Sequence, residues 1–372
     1  MWGCPGHCIS RWFKEVGELV PVSWMATRRA IRAKAKEKQF YYMPTQDYLT
    51  MMSGELNLSE EVINAATKFL HVLGEVLYYN NENGLDVIFL NVSYLINAFK
   101  CVVRHDHRDA TIYNEDPEIP MSNQSFVFAK SQLMEHGRLS MGLLERLWAP
   151  IPPHGIGLRK TNEPQRFWNL VQLLENFEIA AIRTREPKKP FYPIDMLVPE
   201  FEPVSLPNQL WSIGVSSGML QVERYFDFAA KTIPPRGIMQ RFQVKVCPLA
   251  DPNDFNVAKD GLIASVRGCD VFAKFVEGKL RPAVHGFQLI FRGKEDIWKT
   301  VNTLVAMFND LIEQWPGIAC DRYAVVYDDG TPNFLPVHTL EFERDKRKLS
   351  ISDAHKVTIV DVLGDPDAGV WL

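Results

Sequence analysis

The sequence predicts an α+β protein, with a helical first half and a second half built from a β-sheet and one long helix. Two observations carry this. Apolar residues recur at helical spacing through much of the first half. In the second half "GLIASV", "VFAKFV" and "AVHGFQLIFRG" are short β-rich runs, punctuated by Gly268 and Gly278, that read as a meander. The strongest stripe in the chain follows them. Ile297, Val301, Leu304, Val305, Phe308, Leu311, Ile312 and Trp315 keep helical spacing until Pro316-Gly317 stops it.

The remaining elements follow in chain order. Residues 10–40 read as helix, with Ser23 as an N-cap and the basic run "RRAIRAKAKEK" as a solvated face rather than a phosphate contact. Ser59 ahead of two Glu starts a second helix, whose stripe is Val62, Ala66, Phe69, Leu70 and Leu73 and which Gly74 ends. "EVLYY" and "DVIFL", separated by "NNENG", form a hairpin. "NVSYLINAFKCVV" is helical, with Leu95, Phe99 and Val102 on one stripe, and residues 104–124 form a polar loop. Helices follow at "LSMGLLERLW" and "RFWNLVQLLENFEIAAI", then a strand at "PIDMLVP". "VPEFEPVSLP" marks a domain boundary. Beyond it, "MLQVERYFDF" alternates like a strand, "PPRGIMQRFQVKV" gives a helix with stripe Ile238, Phe242 and Val246, and "RYAVVYDDG" is a last hairpin-like strand. The final twenty residues read as a tether.

At 372 residues the chain suits two or three compact units. Its 46% apolar and 23% charged residues are those of an ordinary globular protein, and 22 Phe and 9 Trp supply core volume. A formal net charge of -4 gives no global attraction to nucleic acid or anionic membranes. No apolar run approaches the roughly 18 residues needed to span a bilayer, and the opening residues lack the order of a signal peptide. Six cysteines over this length make no disulfide framework, and Cys101, Cys247 and Cys320 sit among or beside apolar residues as reduced thiols do. A cytoplasmic location is expected.

Three motifs suggest chemistry. "HRDATIYN", residues 107–114, fits the kinase catalytic loop H-R-D-x-x-x-x-N. A kinase also needs a Gly-rich loop upstream and D-F-G downstream, and neither is in the sequence. "GVSSG" at 214–218 satisfies G-x-S-x-G, but a nucleophile elbow runs into a helix and here a strand follows. Cys4, His7 and Cys8 offer three zinc-type ligands without a fourth nearby. There is no G-x-x-x-x-G-K-[ST], so no nucleotide-phosphate cradle is expected. From spacing alone this is a multi-domain protein without a visible active site.

The order of the pieces adds to this. "VPVSW", "FLHVLGEVLYY", "DVIFLNVSYLINAFKCVV", "GRLSMGLLERLW", "LVQLLENFEIA" and "DMLVPEFEP" occur in the order seen in the COR (C-terminal of Roc) domain of Roco proteins. "IPPRGIMQRFQVKV", "FQLIFRG" and the long helix ending "WPGI" resemble that domain's C-terminal subdomain. The resemblance covers residues 16 to about 340. It departs at Asn91-Val92-Ser93-Tyr94, where the family has Asp-Pro-x-Trp, and at Val257-Ala258-Lys259, where a Trp-Arg is common.

The resemblance implies four segments. Residues 1–20 would be a remnant of the last helix of the Roc G domain. Residues 21–204 would form a winged-helix-like N-terminal subdomain, 205–345 a sheet-plus-long-helix subdomain, and 346–372 a linker or tether. It further implies a non-catalytic regulatory and dimerisation module of a signalling protein, coupled to an adjacent Ras-like Roc domain and to a second copy of itself. GTP would bind only in that G domain, and this chain would need no cofactor. Ile88, Phe89 and Tyr94 are the candidate G-domain contact, with plain core packing as the alternative for each. Trp211, Tyr225, Phe226 and Phe228 are candidates for the self-contact, or else for the seam between the subdomains. Two other readings remain. One is a winged-helix nucleic-acid-binding protein, although helices 92–103 and 140–148 carry few basic residues to expose. The other is a fragment of a Roco serine/threonine kinase that lacks its catalytic domain.

Overall fold

In a computed structural model the described residues are 20–36, 42–82, 85–115, 119, 121–151, 164–183, 195–203, 205–206, 211, 218–229, 234–235, 237–277, 280, 285–294, 297–315, 317–328, 331–338, 348–350 and 356–358. They fall into two compact units. One comprises Met1–Arg104 and Arg146–Asn169, the other His105–Glu145 and Leu170–Leu372. The boundary expected near residue 204 therefore lies inside the second unit.

The first unit opens with helix α1 (Val22–Lys34). Pro21, not Ser23, is its N-cap, and its carbonyl accepts from Trp24 N and Met25 N. Strand β1 (Tyr42–Pro44) and helices α2 (Thr45–Leu56) and α3 (Glu60–Val72) follow, with Ser59 as N-cap of α3. Gly74, at φ 71, turns the chain so that Glu75 N reaches Leu70 O. Strands β2 (Leu77–Glu82) and β3 (Leu85–Phe89) form the expected hairpin, and β1 joins it in an antiparallel sheet of order β1-β3-β2. Helix α4 (Val92–Val103) is capped by the Asn91 side chain, which accepts from Ser93 N at 3.0 Å. The core joins Ile31, Tyr48, Met52, Ile63, Leu70, Tyr78 and Ile88. Trp148 is fully buried on Phe167 and donates its indole N–H to Ala98 O at 2.9 Å.

Three cations of the basic run of α1 are paired within the chain. Arg28 grips Glu75, its Nε lying 2.8 and 2.9 Å from the two carboxylate oxygens, and Arg32 shares the same carboxylate. Lys34 pairs with Glu55 at 2.6 Å.

The second unit begins in the segment expected to be loop. There His107–Ala110 make a single turn, α5; Asn123–His136, nearly all of it beyond that segment, is a full helix, α6. Strand β4 (Arg138–Ser140), helices α7 (Met141–Trp148) and α8 (Pro164–Asn176), and strands β5 (Ala181–Ile182) and β6 (Asp195–Leu197) follow, with α7 and α8 each divided between the two units. The three strands form an antiparallel sheet of order β4-β6-β5. Gly137 connects α6 to β4 at φ 64, and a Cβ there would lie 2.7 Å from Val198 O. Only glycine fits both the conformation and the close approach.

Nine-residue β7 (Leu220–Phe228) leads through helix α9 (Ile238–Val246) to β8 (Ala250–Ala258), β9 (Gly261–Val266), β10 (Cys269–Glu277) and β11 (His285–Gly293). Helix α10 (Trp298–Glu313) then returns the chain to β12 (Cys320–Asp328) and β13 (Thr331–Pro336). The sheet order is β13-β12-β7-β11-β10-β9-β8, antiparallel throughout. β7 and β8 run parallel, as do β11 and β12, so α9 and α10 are crossover helices. The crossovers travel in opposite directions from oppositely directed strands. Right-handed connections therefore put both helices on the same face. There Phe308 of α10 stacks on Phe287 at 3.8 Å and meets Phe226 and Phe242, inside an extended apolar cluster. On the opposite face the Tyr225 ring covers Gly286, where a Cβ would lie 2.1 Å from its hydroxyl.

The tail differs from a plain tether. Lys348–Ser350 (β14) and Lys356–Thr358 (β15) pair as a two-stranded ribbon. The start of the helix expected over residues 10–40, "CPGHC" and most of "GVSSG" lie outside the described residues, except that Gly218, at φ 81, leads into β7 as expected.

Candidate interaction surfaces

The residues expected to meet a G domain are interior in this chain. Ile88 and Phe89 are fully buried and Tyr94 is 4% exposed. The alternation of β3 explains Ile88, which enters the core of the first unit, while Phe89 packs on the Tyr42 ring at 5.1 Å. These side chains can shape a partner surface only from beneath it. Tyr225, Phe226 and Phe228 are also buried. Phe226 and Phe228 belong to the helix-side core, and Tyr225 packs on Phe334 on the other face. Trp211 is half-buried, 5.3 Å from the Phe272 ring and under the Arg292 guanidinium at 4.2 Å.

That face of the seven-stranded sheet is distinctive. Glu223, Gln288, Arg292 and Asp227 lie on it and are buried. Glu223 accepts from Gln288 Nε2 at 2.6 Å and from the Tyr327 hydroxyl at 2.7 Å. Arg292 donates to Gln221 at 2.6 Å. Around this polar centre Tyr323, Phe334, Phe272 and Trp211 are half-exposed and Tyr327 is exposed. The sheet's edges are closed to strand addition. β13 carries Pro332 and Pro336, and β8 carries Pro252, Asp251, Asp254 and a bulge between Ala250 and Phe255.

A cavity of about 430 Å³ lies between α10 and β12, lined among others by Arg224, Arg322, Glu313, Asp321, Asn309 and His338. Burial lowers the Arg224 guanidinium to about 10. Two arginines face two carboxylates, so the lining favours neither anions nor cations. Arg322 is already oriented by Asn309 at 2.7 Å.

"HRDATIYN" folds as one helical turn followed by extended chain. Its His107 is buried, with Nδ1 3.0 Å from the Thr111 hydroxyl and the ring edge-on to Phe201 at 5.6 Å. Asp109 points to solvent. The histidine is thus committed to packing. Among the described residues no group of three or more His, Cys, Asp or Glu is arranged to hold a metal, and no helix is long and apolar enough to cross a membrane.

The arrangement defines a class: an α+β chain in which a helix-rich region with two small sheets precedes one large antiparallel sheet backed by two helices. Residues 21–200 match the family model of the COR-A domain, C-terminal of Roc. Residues 21–200 thus carry a COR domain of the kind found in Roco proteins. COR-A is a non-catalytic domain of these proteins. A search of curated proteins found no match.

Proposed function

We propose that this chain is a regulatory and dimerising module that couples an adjacent Roc G domain to a second copy of itself. The match of residues 21–200 to COR-A carries the reading. The seven-stranded sheet is read as the C-terminal COR subdomain and as the self-associating part. Its proline-marked edges discourage edge-to-edge pairing, so the contact uses the aromatic-rimmed face around Tyr323, Tyr327 and Phe334. GTP belongs to the G domain; this chain takes no cofactor and transfers no phosphate.

The order α6-β4-α7-α8-β5-β6, with strands arranged first-third-second, supports a winged-helix assignment to residues 123–197. In a DNA-binding winged helix the third helix enters the major groove. Here that helix is α8, and its Phe167, Asn169, Leu170, Val171, Leu173 and Leu174 are buried. The geometry therefore favours a protein scaffold over a nucleic-acid reader.

Sedimentation of the full chain tests the proposal. A dimer at tens of micromolar that Tyr327→Asp with Phe334→Asp converts to a folded monomer is the expected result. A wild-type monomer over that range, or a dimer indifferent to both substitutions, overturns it.

A further inference from the structure

The chain leaves the three-stranded sheet through a single 3-10 turn, Pro199–Phe201. Val198 N donates to Gly137 O at 2.7 Å and fixes where the turn begins. The turn sends two glutamates in opposite directions. Glu200 faces outward, 3.8 Å from exposed His105, whereas Glu202 is only 4% exposed. Neither carboxyl oxygen of Glu202 has a hydrogen-bond partner among the described residues.

The neighbour of this carboxyl is the side-chain amide of Gln243 on α9, itself fully buried. Gln243 Nε2 donates to Ala258 O at 2.7 Å and to Gly261 O at 3.0 Å, the two carbonyls that bracket the β8–β9 turn. Both amide protons are used, so none is left for Glu202. The amide cannot be turned round, because its oxygen would then oppose two carbonyls. Gln243 Oε1 is consequently a buried acceptor without a donor, beside two more on Glu202. Three desolvated acceptors without a donor are costly, and a single proton resolves the cluster.

We propose that Glu202 is a neutral carboxylic acid in the folded protein, donating its proton to Gln243 Oε1, and that losing this proton unlatches the joint between the Pro199–Phe201 turn and the seven-stranded sheet. The β8–β9 turn is the other half of the latch. Lys259 N donates to Pro203 O at 2.8 Å, Leu206 N donates to Asp260 Oδ1 at 3.2 Å, and the Leu206 side chain occupies the space that a Cβ on Gly261 would need. One turn thus holds Pro203 and Leu206 on one side and Gln243 on the other.

The charged surroundings agree. Burial pushes Glu202 up to about 8, against the pull of the Lys259 ammonium, which does not prevail. Cys247, just beyond α9, also faces it, and burial pushes that thiol up to about 12, so it brings no charge at neutral pH. Asp260 in the β8–β9 turn is 3.2 Å from Lys274. From the α6 end the neighbour is uncharged Gly137. In the opened joint the carboxyl titrates near 4.3, as glutamate does in water. The closed state therefore holds a proton that the open state has lost. Closure weakens as pH rises from the ordinary glutamate range to about 8 and then levels off.

Amide hydrogen exchange in the full chain, read at Lys259 and Leu206 and corrected for intrinsic rates, tests this. Protection is expected to fall by up to about tenfold per pH unit between about pH 6 and pH 8, and to flatten above. Glu202→Gln supplies an equivalent donor without a titration and should abolish the slope. A flat wild-type profile, or a slope that survives in Glu202→Gln, overturns the proposal. A second measurement holds if that variant fails to fold. The wild-type infrared spectrum near neutral pH must show a protonated carboxyl band that disappears in alkali. The band must survive Asp195→Asn, since Asp195 is the other carboxyl that burial raises among the described residues. Its absence also overturns the proposal.

Discussion

The two larger sheets are stabilised by different means. The three-stranded sheet of the first unit sits in a mixed core seamed by directional polar contacts. Tyr48 and Thr67 share a hydrogen bond at 2.6 Å, the Tyr78 hydroxyl donates to Asn64, and Arg28 clamps Glu75. The helix-covered face of the seven-stranded sheet is filled by aromatic volume, with Phe226, Phe242 and Phe275 around the stacked pair Phe287 and Phe308. Its polar groups are gathered on the opposite face. The contrast assigns different weaknesses. The second unit should be most sensitive to changes of volume or charge beneath α10, the first to loss of a single hydrogen-bonding partner.

The largest expected effect is Leu304→Asp. Leu304 is fully buried in the apolar stripe of α10, and an aspartate there meets neither water nor a partner. The substitution should cost more than about 4 kcal/mol and unfold the second unit. Leu304→Met, which conserves volume, should cost less than about 1.5 kcal/mol. Thermal melts of the pair decide the matter; an unchanged melt for the aspartate variant would contradict the packing described for α10.

Next comes Gly137→Ala, which targets the three-stranded sheet of the second unit. Backbone strain at φ 64 and a Cβ 2.7 Å from Val198 O act together, for a loss of about 3 kcal/mol. Urea denaturation should show it as a lower midpoint. A loss no greater than an ordinary surface alanine gives would mean that β4 and β6 can part at Gly137 without cost.

These two sites differ in how much of them the sequence displayed. The stripe of α10 was legible because eight apolar residues repeat over a long helix, and the β-meander because glycines separate its runs. Helix α6 was not. It buries only Phe126, Ala129 and Leu133 while exposing Val127 and Phe128, so its apolar residues trace no stripe. Helix α2 buries Tyr48, Leu49 and Met52 but contains Gly54, which weakens a helical reading. Strand β8 begins "ADPND", a polar, proline-containing stretch that reads as loop because edge strands are built to look unattractive. Tyr225, Phe226 and Phe228 were identified as large apolar residues, and size alone does not separate core from interface; Ile88 and Phe89 were candidates only through the family resemblance, which places an edge and not a side chain. Glu202 was invisible for a different reason. "PEFEP" holds two glutamates, and only the direction of one 3-10 turn decides which is buried.

Arg28→Ala probes the first unit's reliance on partners. The Arg28 and Glu75 side chains are 10% and 15% exposed, and their nearest contact is 2.6 Å. Arg32 still reaches Glu75 at 3.3 Å, so the carboxylate keeps one cation and the loss should be about 1–2 kcal/mol rather than that of a fully orphaned charge. Because the pair is largely shielded, raising salt should change wild-type stability little. Chemical denaturation at low and high salt checks both statements. An Arg28→Ala variant as stable as the wild type would remove the basis for contrasting the two units.

The smallest effects test whether a cap recognised from sequence acts as one. Ser59 and Ser122 both precede helices in extended conformation, at φ -65 for each. They act differently. The Ser122 hydroxyl accepts from Ser125 N at 3.1 Å and lies 2.8 Å from the Ser125 hydroxyl. The Ser59 hydroxyl makes no capping bond; its backbone carbonyl accepts from Val62 N and Ile63 N, and Glu60 and Glu61 supply negative charge to the first turn. Alanine keeps a carbonyl but removes a hydroxyl. Ser122→Ala should therefore cost about 1 kcal/mol, and Ser59→Ala less than about 0.5 kcal/mol. Asn91→Ala, whose side chain caps α4 through Ser93 N, should match Ser122→Ala. Equal losses at Ser59 and Ser122 would show that the serine hydroxyl at Ser59 caps α3 after all, and that the first-turn glutamates do not substitute for it.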